Sequence, residues 1–205
     1  MAMFKSLQEA LTTPELCTVL KLTVKSDELP RELLALPELT ELHLEAPLLS
    51  RLPELAGHFR KLRLLSLKAP KGGLDVSSLF FLPKLENLKI IETPLGAFRM
   101  TLGQYMAPLK SLTLKSCSVT VLPLEIGEFG SLAELSLPDN HLEALPFTFV
   151  TLKTLRRLNL DGHAFTQFPD ILRQLTDLQH LSLDGNRFSA TEKARIQRQF
   201  NITPN

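Results

Sequence analysis

The sequence predicts an α/β fold, a solenoid in which short parallel strands stack into one curved sheet with a helical cap at each end. The first observation is an apolar pattern, L-x-x-L-x-L, that occurs eight times at a spacing of 22 to 24 residues. The second is that apolar and polar residues alternate within each copy, which is typical of a strand with one buried and one solvated face. One such unit cannot cover its own apolar side, so neighbouring units must stack to form a core. The copies begin at Cys17, Leu39, Leu62, Leu85, Leu109, Leu132, Leu155 and Leu178.

The domain organisation follows from the unbroken register of these repeats. We expect one elongated domain over residues 1–205, because no linker interrupts the pattern. Residues 17–188 hold the eight repeats, residues 1–16 an N-terminal helical cap and residues 189–205 a C-terminal helical cap. A stacked solenoid needs a cover with a polar outer surface at each end. Because both covers are present, we expect the chain to be a complete protein.

Helical signals at each end of the chain predict the two caps. Phe4, Leu7 and Leu11 recur at helical spacing just before the first repeat. At the other end, Ser189 and Glu192 have the spacing of a capping box, which marks the start of a helix. We therefore expect one short helix over each end of the repeats.

The sixth repeat shows how each position of the unit is used. Leu135 and Leu137 lie on the buried face of a short strand, since polar residues alternate with them. Asn140 marks the turn after the strand, where an inward carboxamide can bond backbone groups of the adjacent coil. Leu145 and Pro146 begin the return segment, where proline is tolerated because this path makes no sheet ladder.

Written out, the repeat is L-x-x-L-x-L-x-x-N-x-L-x-x-L-P, and it resembles the leucine-rich repeat of the 23-residue type over residues 17–188. The resemblance implies a right-handed solenoid with a curved parallel sheet on its concave face. Residues 4–15, followed directly by repeats, are also similar to the opening of small bacterial leucine-rich repeat proteins. This second similarity suggests a bacterial source.

The turn position departs from the family pattern in most repeats. Down the stack, the ninth position is occupied by Lys25, Pro47, Pro70, Thr93, Cys117, Asn140, His163 and Asn186. Thr93 and Cys117 are plausible weaker substitutes for asparagine, and we expect His163 to donate a ring N–H to the same column. Pro47 and Pro70 cannot bond inward, so we expect packing or water to hold those two turns.

Repeats three and four lack the Leu-Pro pair, so their return segments are expected to be irregular or more helical than their neighbours. Adjacent Phe80 and Phe81 cannot easily both point inward. Further apolar side chains of the same region are Phe98, Met100, Tyr105 and Met106. The side of repeats three and four is therefore a second candidate contact surface.

The two cysteines, Cys17 and Cys117, lie four repeats apart. Stacked strands advance about 4.8 Å per repeat, which separates the two residues by roughly 19 Å. A disulfide needs Cα atoms within about 7 Å, so we expect reduced core cysteines and a cytoplasmic protein. The alternative is secretion by a specialised route without a cleaved signal peptide, with residues 1–15 as the export signal.

Composition and charge argue against several classes of partner. The net charge of +1 provides no basic excess for nucleic acid or an anionic membrane. No stretch is apolar and long enough to span a bilayer, and the amino terminus lacks the apolar core of a signal peptide. With 44% hydrophobic residues the chain should be fully folded, and we expect a monomer.

The strand residues that point away from the core, at positions three, five and seven of each repeat, form the predicted binding surface. Lys68, Lys89 and Lys115 lie in its middle, with acidic residues toward both ends. Such polarity can steer a complementary partner and fix its register. The candidate partner-binding residues are Glu41, His43, Glu45, Lys68, Asn87, Lys89, Ile91, Lys115, Glu134, Arg157, Asn159, Asp161, His180 and Asp184.

No pattern in the sequence points to catalysis, to a cofactor or to a metal. Phosphate-cradling, nucleophile-elbow and zinc-binding motifs are absent. His141 and His163 fall on adjacent coils without a third ligand, and Asp161 and Asp184 are expected to be solvated. We therefore predict a non-enzymatic module that binds a protein or peptide on its concave face. The alternative is a bacterial effector that binds a target protein inside a host or prey cell.

Overall fold

Parallel strands in sequence order build the whole fold. The structure, a computed structural model, describes residues 2–55, 57–96, 99, 107–200 and 202–204. Within these ranges nine strands form a single sheet in which each strand pairs in parallel with the next one along the chain. The prediction of an α/β right-handed solenoid is confirmed.

The strands are β1 Ala2–Phe4, β2 Cys17–Thr23, β3 Glu41–Glu45, β4 Leu64–Lys68, β5 Asn87–Ile91, β6 Ser111–Lys115, β7 Glu134–Ser136, β8 Arg157–Asn159 and β9 His180–Ser182. Residues at the same position of the repeat lie opposite each other in this sheet. His43 pairs with Ser66, Ser66 with Lys89, and Lys89 with Thr113. Each position therefore forms a straight row across the sheet, with a step of about 4.8 Å per strand.

The core is one continuous column of apolar side chains behind the sheet, from Ala10 to Ile196. The strand leucines that alternate with the polar rows are almost inaccessible, and Leu42, Leu88 and Leu112 are 0% to 1% exposed. Each repeat thus buries its leucines against those of its neighbours, so the stack is held by contacts between repeats.

The N-terminal cap contains a strand that helical spacing did not predict. β1 pairs with β2, and Phe4, expected on a helix, lies opposite Leu20 in the sheet. Helix α1 spans Leu7–Thr12, and Ser6 is its N-cap, whose hydroxyl accepts the Glu9 N–H at 3.2 Å. Because Phe4 precedes this N-cap, it is free to extend and to cover the otherwise unpaired edge of β2.

The C-terminal cap is helix α2, Ala190–Phe200, and its start follows the predicted motif only in part. The Ser189 hydroxyl accepts the Glu192 N–H at 3.1 Å, as a capping serine does. The Glu192 carboxylate instead accepts the Phe168 N–H at 2.9 Å and two bonds from Arg195. The Phe168 bond ties the cap to the seventh repeat. The bonds from Arg195, helped by that from Phe168, lower the pKa of Glu192 to about 2.

Short 3-10 turns form most of the return segments, at Arg31–Ala35, Ser77–Phe81, Leu124–Glu128, Phe147–Thr151 and Asp170–Gln174. Four of them follow a proline. The third repeat forms the same turn without proline, because the Asp75 carboxylate accepts the Ser77 N–H at 2.9 Å. The expectation of an irregular or more helical return there is wrong. Most of the corresponding segment of repeat four lies outside the described residues.

The asparagine turns have the inward bonding that the sequence predicts. The Asn140 carboxamide oxygen accepts the N–H groups of Cys117 and Val119, both at 3.0 Å. Its amide nitrogen donates to the carbonyls of Leu114 and Leu137, both at 2.8 Å. One buried side chain therefore joins backbone groups of its own repeat and of the preceding one.

Thr93 and Cys117 take the place of asparagine in repeats four and five. Thr93 accepts the Ala69 N–H at 2.8 Å and donates to Ile91, so the predicted replacement is confirmed. Cys117 also replaces asparagine, because its thiol donates to the Ile90 and Lys115 carbonyls.

Backbone hydrogen bonds close the two proline turns, a contribution that the sequence did not predict. At Pro47, the Leu49 N–H donates to the Ala46 carbonyl at 3.1 Å. At Pro70, the Gly72 N–H donates to the Ala69 carbonyl at 3.5 Å. Proline suits the second position of such turns because its φ is already fixed there.

His163 accepts a hydrogen bond where a donor was expected, so that prediction is wrong. Its Nδ1 accepts the Leu142 N–H at 3.0 Å, and Nε2 has no hydrogen-bond partner among the described residues. Burial lowers the pKa of His163 to about 4, outweighing the nearby Leu137 carbonyl, which raises it. The ring is therefore neutral at pH 7.

Candidate interaction surface

The predicted rows lie on one face of the sheet, but the three central lysines are not equivalent. Lys68 forms an ion pair with Glu92, with 2.7 Å between Nζ and Oε2. Lys89 and Lys115 have no ion pair among the described residues. The ion pair could not be predicted from strand alternation, because Glu92 lies in the turn at position eight, outside the three outward rows.

The turn at position eight is a further feature that the sequence analysis did not predict. In repeats four to eight this residue has a left-handed backbone, with φ between 46° and 68°. The residues are Glu92, Ser116, Asp139, Gly162 and Gly185. The two glycines carry a signal that could have revealed this column, since glycine adopts positive φ without steric cost.

His43 reports the electrostatics at the centre of the face. Burial lowers the pKa of His43, and the positive charge of Lys21 lowers it further. Glu41 on the same strand acts in the opposite direction, and Lys89 adds a third lowering contribution. The surroundings of His43 are therefore electropositive on balance.

A small pocket of about 270 Å³ lies over strands β3 to β6, and we call it the central pocket. It is lined by His43, Leu64, Ser66, Asn87, Leu88, Lys89, Ser111 and Thr113. Among the residues that the structure describes, none of its polar side chains has a hydrogen-bond partner within the chain. Its hydroxyl, amide and amine groups are therefore available to a ligand.

Asp161 has a structural role that the sequence did not predict. The Asp161 carboxylate accepts the Ser182 hydroxyl at 2.6 Å and the Asp184 N–H at 2.8 Å. The Asp161 N–H donates to the Asn159 carboxamide at 2.9 Å. The expectation that Asp161 is simply solvated is wrong, because its carboxylate holds the turn of the following repeat.

The remaining predicted residues lie on the same face but form no common site with the central pocket. Glu134 and Arg157 make a weak pair at 3.6 Å, with both side chains more than half exposed. His180 and Glu45 are exposed toward the two ends of the face, and Ile91 is half-buried. The predicted set is thus distributed along the solenoid.

A wider depression of about 790 Å³ lies toward the carboxyl end of the sheet. Strand residues such as Ser136 and Asn159 line it together with Phe200 and Ile202. The C-terminal cap therefore helps to form this depression. The sequence predicted it only as a cover for the last repeat.

The second candidate surface, on the side of repeats three and four, loses its main residue. Phe80 is 1% exposed and its ring lies 5.7 Å from that of Phe129. Phe81 is half-buried, while the other four predicted residues, Phe98, Met100, Tyr105 and Met106, lie outside the described residues. Large exposed apolar side chains occur instead in repeats five and six, at Val121, Leu124 and Phe147.

Both cysteines lie in the core. Cys17 and Cys117 are both free and buried, and burial raises the pKa of Cys117 to about 11. Residues 2–55, 57–96, 99, 107–200 and 202–204 contain no group of three or more potential metal ligands. In the same ranges, every helix is too short or too polar to cross a bilayer.

Comparison with known proteins agrees with this architecture. The family model "Leucine-rich repeat region" matches residues 99–196, which lie within the stack of paired strands. The chain has the leucine-rich repeat fold. No curated protein matches its sequence.

Solved structures share the fold of this chain at low sequence identity. A leucine-rich repeat protein of Leptospira interrogans is 24% identical, with a TM-score of 0.57 over 92% of this chain and 60% of the other. Internalin C2 of Listeria monocytogenes is 20% identical, with a TM-score of 0.56 over 80% of this chain and 70% of the other. The chain therefore spans 60% of the length of the Leptospira protein.

Proposed function

We propose that this leucine-rich repeat protein is a non-enzymatic module that holds an extended segment of a protein partner across its concave face. The observation that carries the proposal is the central pocket, where polar side chains remain without hydrogen-bond partners in the described part of the chain. Leucine-rich repeat domains are typically used in protein–protein interaction, and solenoids present extended concave surfaces for this purpose.

The structure narrows the residues on which binding should depend. Lys89 and Lys115 are the best candidates, because neither is held by an acidic side chain among the described residues. Lys68 is a weaker candidate, since Glu92 already pairs with it, and Asp161 is needed for a turn. The full predicted set remains a proposal, as do the monomeric state and the cytoplasmic location.

A charge-reversal experiment tests this proposal. The double variant Lys89→Glu with Lys115→Glu should lose proteins that the wild type captures from a lysate of the native organism. Lys110→Glu with Lys153→Glu changes the net charge equally at exposed sites outside the three rows and should capture them normally. Unchanged capture by the first variant, at an unchanged melting temperature, would show that the concave face is not the binding surface.

The alternative, a bacterial effector delivered into a host or prey cell, assigns residues 1–15 to export. Those residues instead make structural contacts: β1 pairs with β2, and Ala10 of α1 is fully buried. Deleting residues 1–15 discriminates the two roles. A lower melting temperature favours the cap, whereas retained stability with lost export would favour the effector.

A further inference from the structure

The central pocket is lined by neighbouring side chains of successive strands, an arrangement that suits one small group able to accept several hydrogen bonds. His43, Ser66, Lys89 and Thr113 lie side by side on four successive strands. With a step of about 4.8 Å, the backbones that carry His43 and Lys89 are roughly 10 Å apart, with Ser66 midway. A ligand above Ser66 can therefore be reached from both sides.

The neighbouring row supplies further donors to the same space. Asn87 pairs with Ser111 at position three of the repeat, and both side chains line the pocket. Two serines, a threonine, an asparagine, a histidine and a lysine thus surround it, and none has an internal hydrogen-bond partner in the described ranges. All six side chains can donate hydrogen bonds.

Some polar side chains elsewhere on the same face have internal partners. Toward the carboxyl end, comparable polar groups bond one another, as Ser182 and Asp161 do at 2.6 Å. The contrast matters because both regions occupy the same rows of the same sheet. Polar groups in the central pocket are left for a ligand or for water.

The charge around the pocket selects the sign of that ligand. Lys21 and Lys89 both act on His43, and their effect exceeds that of Glu41. Lys115 lies beyond Lys89 on the next strand, without an ion pair among the described residues. An anion would relieve this local excess of positive charge.

We propose that the central pocket binds a phosphoryl group carried by a side chain of the protein partner. This inference rests on the concave-face function proposed above and adds the chemistry of recognition. A phosphoryl group offers three strong acceptor oxygens to the hydroxyl, amide and amine donors that line the pocket, whereas a carboxylate offers two. Lysine contributes as a point charge, as it commonly does with phosphate.

In the first test, inorganic phosphate is added to the full-length protein. Nuclear magnetic resonance then monitors the signals of His43 and of the Ser66 and Thr113 amides. Phosphate should shift these signals saturably at pH 7 and should raise the pKa of His43. Acetate, the carboxylate probe, should bind at least about tenfold more weakly. Equal binding of the two anions, or no saturable shift with phosphate, would overturn the phosphoryl assignment.

Variants connect the response to the pocket. Lys89→Met should weaken phosphate binding about tenfold or more, the effect of losing one charged hydrogen bond. Ser66→Ala should weaken it to a lesser extent. Lys110→Met is the matched control, because it removes the same charge from an exposed lysine that pairs with Glu86 and does not line the pocket. If Lys110→Met weakens phosphate binding as much as Lys89→Met does, the assignment of the site to the central pocket is contradicted.

The source of the phosphoryl group is tested with a short extended peptide that carries one phosphoserine, compared with the unphosphorylated peptide and with free phosphate. The phosphopeptide should bind more tightly than either. Binding no tighter than that of free phosphate would reject a phosphorylated protein partner. Partner capture that depends on Lys89 and Lys115 while phosphate fails to bind would leave the concave-face function intact and reject only the phosphoryl assignment.

Discussion

Acidification should destabilise this protein, and the buried ring of His163 should make a large contribution to the loss. The ring is 4% exposed, its Nδ1 accepts a backbone N–H, and its pKa falls to about 4 from an ordinary value of 6.5. Because the pKa of His163 is lower in the folded state than in the unfolded state, its contribution to stability is fully present above pH 6.5. That contribution is lost as the pH falls from 6.5 through 4, because the unfolded chain binds the proton first.

The size of the effect follows from the difference between the two pKa values. One pKa unit corresponds to about 1.4 kcal/mol, so the loss should reach about 2 kcal/mol at pH 5 and about 3 kcal/mol at pH 4. Such a loss is a large fraction of a typical unfolding free energy of about 5 to 15 kcal/mol.

The variant His163→Asn isolates this contribution from that of the carboxylates. Asn140 and Asn186 occupy the same turn position in the flanking repeats, so asparagine suits the site. Urea unfolding of both proteins between pH 7.5 and 4 gives the measurement. The wild type should lose about 2 kcal/mol more than the variant by pH 5. Parallel pH profiles would refute the assignment of acid sensitivity to His163.

Three further predictions concern the turns and the first strand. Asn140→Ala should lower the unfolding free energy by about 3 to 5 kcal/mol, since it leaves several buried backbone groups unpaired. Asn186→Ala should lower it less, because that side chain is only half-buried. Equal losses in urea unfolding would contradict this order. Gly162→Ala should cost about 1 to 2 kcal/mol because φ is +66° and the new Cβ would lie 3.0 Å from Asp139 Oδ1, whereas an unchanged melting temperature would speak against strain there. Deleting residues 2–4 should expose the β2 edge and promote self-association, and a purely monomeric profile on size-exclusion chromatography would count against this role of β1.

The sequence predicts the repeated parts of the fold well because their physics is repeated as well. Eight copies of one apolar pattern fix the strands, their parallel order and their buried leucines, and the register of Leu42 against Leu65 follows directly. The cap strand is different, since β1 occurs once and is only three residues long. A single short strand has no periodicity to reveal it, and Phe4 at helical spacing from Leu7 and Leu11 favours the wrong element.

Predictions about single polar side chains were less successful than those about rows. The outward position of Lys68 follows from alternation, but its pairing with Glu92 depends on how one turn is shaped. His163 was expected to donate because asparagine at that position does, yet the neutral ring offers Nδ1 as an acceptor. Alternation determines the face on which a side chain lies, whereas its partner depends on distances of a few ångströms.

The two parts of the concave face use similar residues for different purposes, and this division favours the centre as the binding region. At the carboxyl end, the Asp161 carboxylate bonds groups of the following repeat, so its polarity contributes to folding. At the centre, Lys89 and the groups around it make no comparable internal bonds among the described residues. Because a polar group without an internal partner adds little to stability, the polar side chains of the central pocket can bind a ligand without a loss of internal hydrogen bonds.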